Sequence, residues 1–86
     1  MAARDVSDGG LGQPAVHAFA VVPSDAIDLD TVTRALFVGG AGNVSVVMLG
    51  GETVLFSGVT AGTILPIRVT RVRSTLTTAT LMLGLY

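Results

Sequence analysis

From Val16 to Tyr86 the chain runs as short apolar, β-branched stretches, and glycine cuts in every few residues. No stretch sustains the three-to-four-residue apolar repeat that an amphipathic helix needs. The pattern therefore reads as strands. Val16 to Val22 is the first, ended by the turn sequence Pro23-Ser24-Asp25. Residues 25–33 are open between an irregular edge strand, because acids alternate with Ile27 and Leu29, and one helical turn capped by Ser24 or Asp25. Arg34 to Val38 is apolar at both parities and reads as a central strand buried on both sides. Gly39 to Asn43 reads as a loop.

Val44 to Leu49 and Glu52 to Ser57 flank Gly50-Gly51, a strong hairpin signal. Val44, Val46 and Met48 share one face, and Val54 and Phe56 share a face of the partner strand. A second turn, Gly58 to Gly62, leads into a strand from Thr63 to about Arg73, in which Pro66 marks an edge or a bulge. Ile67 and Val69 are odd-numbered but Val72 is even. The inward face thus switches near Thr70 and Arg71, which predicts an extra residue there. After the polar turn Ser74–Thr80, Leu81 to Tyr86 forms the last strand. The expected fold is all-β, a small antiparallel sandwich or barrel of six or seven strands over residues 14–86. Residues 1–13, rich in charge and glycine, read as a flexible arm able to order against a neighbour.

With 86 residues, one histidine and no cysteine, the chain has neither disulfides nor a thiolate or histidine-rich metal site to stabilise it. A domain this small hides only about 60–65% of its unfolded surface. Half of its residues are hydrophobic and 13% are charged, against about 25% charged in a typical soluble domain. Apolar surface left over in this way marks contact with other subunits; the plainer alternative is that many of these residues are alanine and valine scattered harmlessly over the surface. A basic start followed by an apolar run is missing, so the sequence reads as lacking a secretory signal. The longest uncharged stretch, Ala35 to Gly51, is short for a membrane span and broken by five glycines.

Charge is segregated. Residues 1–52 hold six acids and two arginines, a balance of −4, whereas residues 53–86 hold Arg68, Arg71 and Arg73 and no acid, a balance of +3. Either chance or an interface between opposite ends of two subunits produces such a split, and charge at an interface fixes register more than it adds affinity. Lysine is absent, so every cationic side chain is an arginine, suited to bidentate pairing. Arg68, Arg71 and Arg73, together with the C-terminal Tyr86, are the candidate subunit-interface residues. A net charge of −1 and three arginines without interleaved aromatics do not make a nucleic-acid surface.

Catalytic, cofactor and metal sites are not expected. His17, the sole imidazole, sits in an apolar run without a convergent set of polar groups. Asp25, Asp28 and Asp30 lack the glycine and bidentate glutamate of a calcium loop. Gly39-Gly40-Ala41-Gly42 lacks the dinucleotide-binding spacing and is followed by a strand instead of a helix.

Several stretches carry a resemblance. They are His17-Ala18 with Val21 and Pro23-Ser24-Asp25, then Thr33 through Gly42, then Gly50-Gly51-Glu52-Thr53-Val54 through Leu65-Pro66-Ile67-Arg68-Val69, and Thr77-Thr78-Ala79. Over roughly Pro14 to Tyr86 the chain resembles the small spike-base proteins of gene transfer agents and tailed phages of alphaproteobacteria. The segment from Gly51 to Val69 is the most specific part. The resemblance implies a virion component on the head surface, made in the host cytoplasm. It implies a homo-oligomer, a pentamer at vertices or a trimer between capsomers, that contacts the major capsid protein. The subunit would support a spike or fibre protein, or brace the shell as a cement (decoration) protein. No catalytic residue or cofactor carries over, and neither nucleic acid nor membrane is an expected partner. A ligand-binding module of a receptor-binding spike is the further alternative, weakened by the absence of tryptophan for a sugar platform.

Overall fold

The computed structural model describes residues 15–86; the proposed arm, residues 1–13, lies outside them. Seven strands follow in order: β1 (Ala18–Ala20), β2 (Ala35–Gly40), β3 (Gly42–Met48), β4 (Thr53–Val59), β5 (Thr63–Leu65), β6 (Val69–Val72) and β7 (Thr80–Leu85). They form two antiparallel sheets, one ordered β1-β7-β2-β5 and the other β4-β3-β6. No helix occurs among the described residues. Of the two expected architectures, the sandwich is the one formed.

The sheets meet through alternate side chains. Leu36 and Val38 from β2 interlock with Val44 and Val46 from β3 and with Val69 and Val72 from β6, all at most 1% exposed. β-Branched residues suit this packing because a single favoured rotamer stands nearly perpendicular to the pleat. Among the described residues Thr33 is the one polar side chain that is fully buried. Its hydroxyl donates to the Ile67 carbonyl (3.1 Å) and accepts from the Val69 amide (3.1 Å), so this buried group is paired both as donor and as acceptor. That clasp ties the approach to β2 in one sheet to the start of β6 in the other.

The β3–β4 hairpin has the expected faces, with Val44 opposite Phe56 and Val46 opposite Val54. The face switch before Val72 is also present. In the β3–β6 ladder Val47 pairs with Arg71 and Met48 with Val69, so Thr70 is the extra residue and both valines point inward.

Three expectations are corrected. First, β2 is central but buried on one face only: Leu36 and Val38 enter the core, whereas Phe37 is half-buried on the outer face, because no second layer covers that side. Second, residues 39–43 are not a loop. The strands run almost continuously through them, and the chain crosses between sheets at Ala41. A Cβ on Gly42 would meet the Ala79 amide nitrogen at 2.5 Å, so only glycine lets the crossing chain lie this close to its neighbour. Third, residues 63–73 form two strands in different sheets, with Pro66-Ile67-Arg68 carrying the chain from one to the other.

Residues 24–33 resolve as an irregular edge partner without a helical turn. The Ser24 hydroxyl accepts from the amides of Ala26 (3.2 Å) and Ile27 (3.1 Å). The amides of Ser24 and Leu29 then donate to Val72 and Thr70 of β6, both at 2.8 Å. The outer edge of β6 is thereby covered.

Leu36 is the largest fully buried side chain. Leu36→Ala should lower unfolding stability by about 2–5 kcal/mol, measured by equilibrium denaturation at constant protein concentration.

Candidate assembly surfaces

The candidate residues fall on two neighbouring regions. Arg71, on β6, faces the edge segment: its guanidinium nitrogens Nε and Nη2 each lie 2.8 Å from Asp28 Oδ1, and Nη1 donates to the Asp25 carbonyl at 3.2 Å. Arg73 reaches Asp25 Oδ1 at 3.5 Å. Arg68 donates from Nε to the Thr33 carbonyl at 3.4 Å. Two of the three arginines are therefore held by acids of their own chain. The acid-rich first half and arginine-rich second half of the sequence meet inside one subunit.

Asp25 is the focus of this cluster. It accepts from the Thr75 amide at 3.0 Å and from the Thr75 hydroxyl, in addition to the pairing with Arg73. These donors, the Thr75 backbone first, hold its carboxyl at a pKa of about 2 against an ordinary 3.8. The cluster pins the turn after β6 to the start of the edge segment.

Tyr86 closes the far end of the four-stranded sheet. Its carbonyl accepts from the amides of Val16 and His17, both at 2.8 Å, and its own amide donates to the His17 carbonyl at 2.9 Å. The Tyr86 ring stacks on His17 with centroids 5.1 Å apart and tilts against Phe19 at 5.7 Å. His17 thus lies in an aromatic stack. Tyr86 and Phe19 also line an open cleft of about 490 Å³, together with Ala20, Val22, Ile27, Leu29, Asp28 and Asp30. Asp28 links the two regions, since it borders the cleft and holds Arg71. Among the described residues no three His, Asp or Glu side chains gather in a way that could hold a metal ion.

Sequence reasoning passed over the exposed apolar residues Ile27, Ile64, Leu81 and Leu83. The signal was present as apolar residues at both parities of β2 and β7, where a one-sided strand would alternate with polar ones.

The sequence matches no protein-family model and no curated protein. Among solved structures, a chain of the assembly described as "Capsid of native GTA particle computed with C5 symmetry" is similar over its length. It is 40% identical, covers 90% of this chain and 89% of its own, and superposes with a TM-score of 0.81. The class is a capsid-associated β-sandwich. This chain belongs to the family of gene-transfer-agent capsid proteins that the matched subunit represents.

The Asp28–Arg71 pair is part-buried, with side chains 22% and 28% exposed. A double-mutant cycle on Asp28→Asn and Arg71→Gln should give a coupling energy of about 1 kcal/mol. Asp25 acts through pH. Because its folded pKa lies below the unfolded value, its contribution is present above 3.8 and is lost as pH falls towards about 2. Asp25→Asn should remove that part of the acid dependence, so melting temperatures of variant and wild type should converge across this window.

Proposed function

We propose that this chain is a structural subunit of a gene-transfer-agent or phage head, acting as an oligomeric spike base that attaches to the shell at its five-fold vertices and carries a spike or fibre. The observation that carries the reading is the 40% identity, spread over nine-tenths of both chains, to a chain of a native gene-transfer-agent capsid. A small sandwich with exposed apolar side chains and no assembled catalytic or metal group among the described residues suits a role played through contacts alone.

In this reading the partners are the major capsid protein, further copies of the chain and a spike or fibre protein. Arg68, Arg71, Arg73 and Tyr86 border the subunit contact. Asp28 and Asp25 hold Arg71 and Arg73 in fixed orientations, so these side chains lose little further freedom when a neighbour arrives.

The purified full-length chain should form a discrete oligomer of five in native mass spectrometry. When added to particles stripped of it, the chain should decorate the five-fold vertices in electron micrographs. Decoration between capsomers would replace the spike-base role with a cement role. Absence of binding to any shell position would overturn the proposal.

A further inference from the structure

The outer face of the four-stranded sheet is apolar throughout its central row. Ala20, Leu83, Phe37 and Ile64 stand opposite one another across all four strands. Ile64 is 57% exposed and Leu83 37%. Beside this row Leu81 projects with 78% of its surface exposed, on a backbone at φ 54°, in the left-handed region that leucine avoids. Across from it stands Gly39, where a Cβ would meet the Leu81 carbonyl oxygen at 2.7 Å and its Cβ at 2.9 Å. A strained leucine thus projects into solvent, and the facing position has no side chain that would push it away. The isolated subunit gains no core packing from this arrangement.

Size limits what covers the face. Six-residue strands rising about 3.3 Å per residue, flanked by shorter ones and spaced about 4.8 Å apart, give a face of roughly 300 Å². That is the scale of a single functional patch and well under the roughly 800 Å² each partner contributes to a stable pairwise interface. A lone dimer across this face would be weak. A closed ring gives each copy two contacts in place of one.

The complementary surface is on the same chain. The cleft lined by Phe19, Val22, Ile27 and Tyr86 is the other apolar recess described above, with Val22 77% and Ile27 69% exposed. The two surfaces adjoin at β1: Ala20 ends the outer row and also lines the cleft, while Phe19 beside it packs against the core. The central row and Leu81 carry no ionisable group; of the two acids lining the cleft, Asp28 is paired with Arg71 and Asp30 is exposed.

We propose that copies of this chain associate head to tail, with Leu81 and the Leu83–Phe37 row of one subunit seated in the Ile27–Tyr86 cleft of the next, and that repetition closes a ring. This rests on the reading of the chain as an oligomeric capsid subunit.

Two variants of the full chain test it. Asparagine tolerates the left-handed region, so Leu81→Asn should keep or raise the melting temperature of the dilute subunit while weakening association at least tenfold. Ile27→Asn lies on an exposed turn and should likewise abolish rings without unfolding the chain. Mixed in equal amounts, the two variants retain one intact contact between them, so native mass spectrometry should show a weak species of two chains that grows with concentration, and none larger. Rings of wild-type size from either variant alone, or a mixture with no two-chain species at any concentration, would overturn the head-to-tail contact. If Leu81→Asn forms normal rings but fails to bind stripped particles, the face belongs to the shell contact; that sinks this inference and leaves the capsid reading standing. A wild-type chain that is monomeric and ignores particles would sink both.

Discussion

Each sheet has only the other to cover its apolar side, and the fold depends on that single shared layer. Among the described residues the largest fully buried side chains are five valines, one leucine and Thr33, short residues that keep the two sheets close. Valine brings little area per residue but loses little rotamer freedom when fixed, which suits a core too small to absorb much entropy. With no cysteine in the chain, nothing covalent supports this layer. Thr33 adds a directional element. A hydroxyl bonded to two backbone groups sets the offset between the sheets, which packing of similar valines alone leaves loosely specified.

Sheet edges are managed by different means. β1 and β5 are only three residues long, β6 is covered by residues 24–33, and β4 carries a register shift near its end. Short, covered and bulged edges resist uncontrolled strand pairing. The acidic edge segment has a second role here, since Asp25 and Asp28 fasten it to Arg73 and Arg71. One stretch of irregular backbone protects an edge, neutralises two arginines and forms part of the wall of the apolar cleft.

The local parts of the fold were legible in the sequence because they depend on near neighbours. The Gly50-Gly51 hairpin and the bulge at Thr70 follow from turn chemistry and side-chain parity, and both stand in the structure. The allocation of strands to sheets was not legible. Gly39–Asn43 and Pro66–Arg68 look like a loop and a kink, and only the three-dimensional arrangement reveals them as crossings between layers. Phe37 was misread for a related reason: an apolar residue looks the same whether it enters a core or stands on the outer face of a sheet. The two halves of opposite charge suggested contact between subunits, and sequence alone could not show that the chain folds back to join them.

The position of β7 has a consequence for biosynthesis. It is the seventh strand along the chain, yet it sits between β1 and β2. During synthesis β1 has no neighbour in its sheet until residues 80–85 emerge, and β2 can pair only with the short β5. The hairpin of the other sheet can form early, but its apolar side then faces an incomplete opposite layer. The four-stranded sheet therefore cannot be completed before its last-made strand is available, and a chain that lacks it leaves the apolar side of the hairpin without its full cover.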